Sequence, residues 1–240
     1  MLLMNHSLDS PVFIDILKTF NSINITLDYT YKNYAAIHNK IETIKQLIPE
    51  IYYHLKISGI KMIENVMGPD SFVNEITIDS SVNSIIDGAF CEFSKLQKVT
   101  IASSITTIPT DAFKSCSSLT EILIPLSVTL IGKCAFMECT SLSNIIIPSS
   151  VKCIEFSAFE KCTSLRRISI PSSINKIKYG TFKECTSLTE IIILPSVKSI
   201  EYCTFEKCTS LRSISIPISI TIIEYGIFKD CTLLTHIRIP

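Results

Sequence analysis

Ten cysteines and four histidines carry the most distinctive side-chain chemistry in this 240-residue chain. Six of the cysteines recur at intervals of 23 residues: Cys116, Cys139, Cys162, Cys185, Cys208 and Cys231. Neighbours in such a column would lie close enough for disulfides if the compartment were oxidising. However, Phe93 takes the same place in the first full unit, so the position requires a buried apolar group and not a thiol. We therefore predict a column of free, buried thiols.

The other candidates for catalysis or metal binding form no recognisable site. The histidines are scattered, at His6, His38, His54 and His236, and no Ser, Cys or Asp lies at a recognised motif spacing from any of them. Cysteine pairs such as Cys134 with Cys139 lack the CxxC spacing of zinc sites, and the six glycines form no phosphate-binding loop. The sequence thus predicts no catalytic residue, no metal site, no cofactor and no enzymatic activity.

The 23-residue interval belongs to a repeat. A phenylalanine, which we call position 0, marks each copy: Phe90, Phe113, Phe136, Phe159, Phe182, Phe205 and Phe228. Leu follows at +6, Val or Ile at +9 and Ile at +11 in every copy. The alternation of +9 and +11 predicts a short strand, and Pro, which cannot donate a ladder hydrogen bond, usually ends it at +12. Because repeats this short cannot bury an apolar face alone, they must stack into a solenoid.

The rest of each repeat predicts the opposite wall of this solenoid. Val or Ile recurs at +15 and Ile at +18, as in Val151 and Ile154. The stretch from the small residue before each Phe to the Cys is expected to form a helical turn that closes the coil. Successive repeats, or rungs, should stack about 4.8 Å apart through a parallel strand ladder, with each Phe over the next.

Charged residues alternate in sign from rung to rung on two columns. Position +1 reads Glu160, Lys183, Glu206 and Lys229, and position +2 reads Glu138, Lys161, Glu184, Lys207 and Asp230. Stacking would place opposite charges side by side, and each pair would contribute about 0.2–1 kcal/mol. The pattern supports the predicted register independently of the apolar columns.

The pattern LxxIxIPxSVxxIxxxAFxxCxS, as it stands from Leu142 to Ser164, resembles the BspA-type leucine-rich repeat. The resemblance covers about residues 70–240, with departures at Ala102 and Leu194 for Pro and at Thr181, Thr204 and Ile227 for Ala. It implies a β-rich leucine-rich-repeat solenoid with a parallel sheet on the concave face, and short strands and helical turns on the convex face. Proteins of this family bind other proteins and include bacterial adhesins and many protist proteins. The resemblance implies no catalytic residues.

Residues 1–66 lack the period and predict a separate helical region ahead of the solenoid at 67–240. Ser10 can cap a helix that begins at Pro11, a second helix is predicted from Tyr34 to Leu47, and a third from Glu50 to Ile57. We expect this α-helical N-terminal cap to cover the apolar side chains and the free strand edge of the first rung. The alternative is a small adaptor that docks another protein, as in ubiquitin-ligase adaptors.

Composition argues against several partner classes. Lys plus Arg equals Asp plus Glu at 22 each, with no basic cluster, so nucleic acid is not an expected partner. No uninterrupted apolar run reaches the roughly 18 residues of a membrane helix, and the N-terminus lacks the basic and apolar regions of a secretory signal. We therefore expect a cytoplasmic protein without membrane insertion, with a cell-surface location as the alternative.

The candidate binding residues point outward from the concave strands, at +8 and +10, where the sequence varies although the core does not. They are Glu121, Leu123, Asn144, Ile146, Arg167, Ser169, Glu190, Ile192, Ser213 and Ser215. Leu123, Ile146 and Ile192 form an interrupted aliphatic strip beside charged residues, a composition that suits protein docking. The alternative is that β-branched residues are there because they favour strands.

Pro240 directly follows a predicted strand, which would leave Leu234, Ile237 and Ile239 of the last rung uncovered. Either the gene product is truncated, or we expect this rung to pair with something, including a second copy of the chain. Together the features predict a non-enzymatic scaffold that binds a protein partner through the concave face. The alternatives are a cell-surface adhesin and a ubiquitin-ligase-type adaptor.

Overall fold

In the computed structural model of the chain, the described residues are 24–29, 52–57, 62–63, 73–102 and 104–239. Within these ranges the chain forms short β-strands joined by turns, and no helix. The strands are β1 (Asn24–Tyr29), β2 (Tyr52–Ile57), β3 (Met62–Ile63), β4 (Glu75–Ile78), β5 (Ser84–Ile85), β6 (Lys98–Ile101), β7 (Thr107–Ile108), β8 (Glu121–Leu123), β9 (Leu130–Ile131), β10 (Cys153–Ile154), β11 (Arg167–Ser169), β12 (Lys176–Ile177), β13 (Glu190–Ile192), β14 (Ser199–Ile200), β15 (Ser213–Ser215) and β16 (His236–Arg238).

The paired strands all run parallel. The longer strands form the surface that we call the concave face, as one sheet of order β1-β2-β4-β6-β8 followed by the pairs β11-β13 and β15-β16. The two-residue strands form the second wall, as β3-β5, β10-β9-β7 and β12-β14. From β4 onward along the concave face, paired residues are 23 apart, as in Val99 opposite Ile122 and Ile168 opposite Ile191. The predicted in-register parallel stack is confirmed.

The core lies between the two walls and repeats from rung to rung. The position 0 rings are fully buried from Phe90 to Phe205, and neighbouring rings stack with centroids 5.3–5.8 Å apart and interplanar angles of 12° or less. Leu at +6 is also fully buried from Leu96 to Leu211. Each such side chain contributes about 1.5–3 kcal/mol by leaving water. The stack is therefore held mainly by identical side chains in adjacent rungs.

Two residues in each repeat take a left-handed backbone conformation, and they bracket the turn around position 0. At −2, φ is 52–68° in Gly88, Asp111, Cys134, Ser157, Gly180, Cys203 and Gly226, and at +2 it is 58–63° in Glu92, Ser115, Glu138, Lys161, Glu184, Lys207 and Asp230. A residue in this conformation cannot continue a right-handed helix. The predicted helical turn is therefore wrong, because each repeat closes its coil with tight turns instead.

These turns are tied to one another by a ladder of backbone hydrogen bonds. The N–H groups at −2, 0 and +2 donate to the carbonyls at −3, −1 and +1 of the following repeat. In one repeat the bonds are Cys134 to Phe156 at 3.0 Å, Phe136 to Ala158 at 2.9 Å and Glu138 to Glu160 at 2.9 Å. The same three bonds recur in the repeats of Phe90, Phe113, Phe159 and Phe205. Rungs are thus hydrogen-bonded on the convex side as well as through the sheet.

Gly132 marks a place where two rungs approach closely. A Cβ atom there would lie 2.6 Å from both the Pro109 carbonyl carbon and the Thr110 nitrogen. Gly132 also donates its N–H to the Ile108 carbonyl at 2.8 Å, so the two backbones cannot separate without losing that bond. Glycine is required here for space, whereas a Cβ atom at Gly88, where φ is +68°, would make only an ordinary contact with Cys91 Cβ at 4.0 Å.

The helix predicted from Glu50 to Ile57 is wrong, because strand β2 occupies this stretch. β2 pairs in parallel with β4 and sets Leu55 and Ile57 opposite Ile76 and Ile78, in the same register as +9 and +11. Ile57 is fully buried. Paired residues of β2 and β4 are 21 apart, and those of β1 and β2 are 28 apart. The repeat geometry thus begins before the 23-residue spacing does, which hides these strands from a search for that period.

The helices predicted from Pro11 and from Tyr34 to Leu47 lie outside the described residues. The described parts of the predicted helical cap are β1, β2 and β3, which pair with each other or with the solenoid strands β4 and β5. A helical cap is therefore not supported. The boundary placed after residue 66 stays a prediction.

Candidate protein-binding site

The ten predicted binding residues lie on β8, β11, β13 and β15 and on segment 144–146, which follows β8 in the stack. All ten are exposed. In β8, β11, β13 and β15 the two outer residues are exposed and the central one is buried, so the pleat aims the predicted residues away from the core. The structure thus places them on one face, and their role in binding stays a prediction.

The aliphatic strip at +10 is the most exposed apolar feature of this face. The exposed fractions of Leu123, Ile146 and Ile192 are 57%, 72% and 48%. Their neighbours at +9, such as Ile145 and Ile191, are at most 7% exposed. The +10 side chains of the strip are therefore exposed, and the +9 side chains next to them anchor the same strands in the core.

The concave sheet is interrupted beside this strip. Residues 144–146 form no strand, and their ladder contact is a single bridge between Asn144 and Arg167. A shallow groove of about 570 Å³ opens at this point, lined by Asn144, Ile146, Arg167, Ser169, Glu190 and Ile192, together with Ile145, Ile147, Ser149, Ile168, Pro171 and Ser172. Six of the ten predicted residues meet in this groove. Glu121, Leu123, Ser213 and Ser215 lie on the strands to either side.

Two cross-strand ion pairs lie at +8 on the same face. Arg167 Nε is 3.3 Å from Glu190 Oε2, and Lys98 Nζ is 3.5 Å from Glu121 Oε2. Their side chains are 39–78% exposed, so each pair contributes at most about 1 kcal/mol to stability. These charges stay accessible, and a partner can compete for them at little cost.

The predicted thiol column is confirmed, and the thiols also donate hydrogen bonds. All ten cysteines are free, and from Cys116 to Cys208 the column is fully buried. Each Sγ of the column donates to the Phe carbonyl of the preceding repeat at 3.0–3.2 Å, as Cys162 does to Phe136. Burial raises the pKa of Cys162 to about 12, so this thiol stays protonated at neutral pH. The column is structural and not nucleophilic.

The predicted charge pairing is confirmed for all three neighbouring pairs at +1 and for two of the four at +2. At +1, Lys183 Nζ lies 3.9 Å from Glu160 and 3.8 Å from Glu206, which also pairs with Lys229 at 3.1 Å. At +2 the pairs are Lys161 with Glu138 at 2.8 Å and Lys207 with Glu184 at 3.1 Å. Hydrogen bonds from Lys161 and Ser115 hold the pKa of the Glu138 carboxyl below its ordinary value.

The sequence profile of the BspA type leucine rich repeat region matches residues 61–185 and 152–240, in six copies. The chain belongs to this family. Family membership agrees with the parallel rungs, the stacked Phe column and the buried Leu column described above. Leucine-rich repeats of this type typically serve as non-enzymatic scaffolds for protein interactions.

Solved structures of other proteins have the same architecture as this BspA-type chain. A leucine-rich repeat protein of T. pallidum is 27% identical with a TM-score of 0.62, and the alignment covers 66% of this chain and 77% of that one. One from Bacteroides ovatus is 23% identical with a TM-score of 0.63, covering 91% and 69%. The pneumococcal vaccine antigen PcpA is 19% identical with a TM-score of 0.51, covering 91% and 62%, a similarity of fold alone. No curated protein matches the sequence.

The BspA-type rungs also carry a surface column that sequence reasoning missed. Phe156, Tyr179, Tyr202 and Tyr225 share position −3, and the exposed fractions of Phe156, Tyr202 and Tyr225 are 39%, 50% and 81%. The Tyr179 and Tyr202 rings lie 4.6 Å apart, and Lys178 Nζ sits 5.1 Å above the Phe156 ring. The signal was the same 23-residue interval, hidden because the column begins only in the fourth repeat.

In the part of the chain that the structure describes, no helix has the length and hydrophobicity to span a bilayer. The same residues include no group of three or more His, Cys, Asp or Glu side chains arranged to hold a metal ion.

Proposed function

We propose that this BspA-type chain is a non-enzymatic protein-interaction scaffold that binds a partner through the concave face. The observation that supports the proposal is the aliphatic strip of Leu123, Ile146 and Ile192 around the groove, fixed from behind by a fully stacked core. Exposed aliphatic groups with a few charged and hydroxyl groups between them resemble the centre of a protein interface. A rigid surface of this kind loses little entropy on binding.

Strand propensity alone does not account for the strip. Ile146 is the most exposed of its three members, at 72%, yet it lies in segment 144–146, which is not a strand. A preference of β-branched residues for strands therefore gives no reason for isoleucine at this position. Ile146 lies on the same face as Leu123 and Ile192, and three exposed aliphatic side chains on one face suit a partner that covers them together.

The test is a pair of double variants with equal changes in charge. Ile146→Asp with Arg167→Glu alters the groove, and Tyr225→Asp with Lys198→Glu makes the same change on an exposed surface away from it. Partners would first be identified by photo-crosslinking from residue 146 in cells, and then purified. Binding of the purified partner should be lost in the groove variant and kept in the control, with unchanged circular dichroism spectra in both. Unchanged binding by the groove variant would refute the concave face as the site.

We also propose a cytoplasmic location, and the free thiols support it. Ten unpaired cysteines in one chain suit a reducing compartment better than an oxidising one. Protease treatment of intact cells that express a tagged chain, with a cytosolic protein as control, tests this. Cleavage of the tag on intact cells would favour the cell-surface adhesin instead.

A further inference from the structure

The chain has four arginines, and all four lie at concave strands of the last repeats. Arg166 and Arg212 occupy +7, directly before β11 and β15, while Arg167 opens β11 and Arg238 ends β16. Lysines, by contrast, occur along the whole sequence. Lysine is thus spread over the chain, as expected of a residue that keeps a protein soluble, whereas arginine is confined to one surface.

These arginines are exposed, and three of them are available for a partner. Arg167 pairs with Glu190, but the side chains of Arg166, Arg212 and Arg238 make no hydrogen bond or ion pair with another residue in the described part of the chain. Among positions +7, +8 and +10 from β11 to β16, Glu190 is the only acidic residue. The face and its edge at +7 together therefore have a net positive charge here, although the whole chain is neutral.

The chemistry of this surface favours carboxylates on a protein. A guanidinium group is planar and binds a carboxylate with two parallel hydrogen bonds, which a lysine ammonium cannot do. Single-stranded nucleic acid would need aromatic side chains on which its bases stack, and +7, +8 and +10 hold no Phe, Tyr or Trp in any repeat. Ile146 and Ile192 instead suit aliphatic side chains, and Ser213 and Ser215 suit a peptide backbone.

We propose that the concave surface from segment 144–146 to β16 binds an extended acidic segment of a partner protein. Its Asp or Glu carboxylates pair with Arg166, Arg212 and Arg238, and its apolar side chains contact Ile146 and Ile192. This inference rests on the proposed function and adds the chemical class of the partner. Because Arg166, Arg212 and Arg238 lie on three of the five rungs of this surface, the acidic residues are spread along the segment.

Rung spacing sets the length and the pattern of the segment. Adjacent parallel strands are about 4.8 Å apart, so Arg166 and Arg212, two rungs apart, are separated by about 10 Å along the solenoid axis. An extended peptide advances about 3.3 Å per residue, so acidic residues about three positions apart match these two arginines. From segment 144–146 to β16 there are four rung steps, so the segment spans about 19 Å, or roughly six residues.

The test measures binding of a fluorescein-labelled peptide of repeated Asp-Ile-Ser units to the purified 240-residue chain. A peptide with Asn in place of Asp is the control ligand. The triple variant Arg166→Glu, Arg212→Glu, Arg238→Glu should lose at least tenfold in affinity, since it removes three charge-assisted hydrogen bonds and places like charges beside the ligand carboxylates. The matched triple variant Lys133→Glu, Lys152→Glu, Lys198→Glu changes the net charge equally on exposed residues elsewhere and should bind normally.

A second triple variant, Arg166→Lys, Arg212→Lys, Arg238→Lys, keeps the charge but removes the planar guanidinium groups. It should bind severalfold more weakly than the natural chain, and equal affinity would refute the arginine-specific contact. The proposal is also overturned if both glutamate triple variants weaken binding equally, or if an oligothymidylate binds in an arginine-dependent way and the peptide does not. If Ile146→Asp abolishes binding of the purified natural partner and the arginine variants do not, the proposed function stands and this inference fails. If neither Ile146→Asp nor the arginine variants weaken binding of the partner, both the proposed function and this inference fail.

Discussion

Deleting one ring from the middle of the Phe column should destabilise the whole solenoid. Phe159 is fully buried, with the Phe136 ring 5.4 Å away on one side and the Phe182 ring 5.7 Å away on the other, each within 5° of parallel. Phe159→Ala removes both contacts and leaves a cavity that the neighbouring rungs cannot close, because their spacing is fixed by hydrogen bonds. Phe228, which stacks on Phe205 alone and is only half-buried, provides an internal control.

The expected magnitude follows from these contacts. Burial of a Phe side chain contributes about 1.5–3 kcal/mol, and each aromatic pair about 0.5–1.5 kcal/mol more. With two stacked neighbours, Phe159→Ala should therefore lower the free energy of unfolding by about 4 kcal/mol, within the usual range for such deletions in cores. Phe228→Ala loses one pair and part of the burial, so about 1–2 kcal/mol is expected.

Urea unfolding followed by far-ultraviolet circular dichroism measures both variants against the natural chain. Because repeat arrays can unfold in parts, hydrogen exchange resolved by repeat should accompany it. Phe159→Ala should reduce protection in the repeats on both sides, whereas Phe228→Ala should affect the last rungs. Equal destabilisation by the two variants, or none by Phe159→Ala, would refute the assigned register.

Three other perturbations test separate features. Gly132→Ala should destabilise by about 2–3 kcal/mol in thermal unfolding, since its Cβ would overlap the preceding rung. Gly88→Ala would make no close contact, so it should cost only the roughly 1–2 kcal/mol of a left-handed alanine. A larger loss from Gly88→Ala than from Gly132→Ala would contradict the close approach. Lys161→Met should lower stability by about 0.5 kcal/mol at neutral pH. Because the folded-state pKa of Glu138 is depressed, that contribution is present above the unfolded carboxyl pKa of about 4.3 and is lost as pH falls through the folded value, so the two chains should converge in acid. A difference that persists in acid would assign the effect to packing. Cys162, with a pKa raised to about 12, should resist iodoacetamide at pH 8 until the chain unfolds, as followed by peptide mass spectrometry; rapid labelling of the native chain would contradict its burial.

The sequence predicts the interior well because a strict spacing permits few arrangements. The Phe column and the alternation at +9 and +11 identify which side chains meet, and the alternating charges at Glu138 and Lys161 fix the register independently. The same signals locate the outward positions of the concave face. Which of these meet in a groove depends on the interruption at residues 144–146, and no residue type there predicts it.

The failures have separate physical causes. The left-handed residues at −2 and +2 include Glu138, Lys161 and Cys203, side chains that give no local sign of a positive φ. Tertiary hydrogen bonds between rungs impose that conformation. The sequence does not reveal β1 and β2, because they lie 28 and 21 residues before the strands they pair with, and not 23. The strands keep their pairing while the loops between them differ in length. The hydrogen bonds that the cysteine thiols donate were not predicted, because Phe93 occupies the same column and has no side-chain donor.

The hydrogen bonds of the turns give the solenoid a chemical polarity. The side of each repeat that looks toward the C-terminus presents three N–H donors, and the opposite side presents three carbonyl acceptors. A repeat added in the opposite orientation would bring donors against donors at this ladder. The turns therefore accept successive repeats in one orientation only, so the direction of the stack is set at the turns as well as in the parallel sheet.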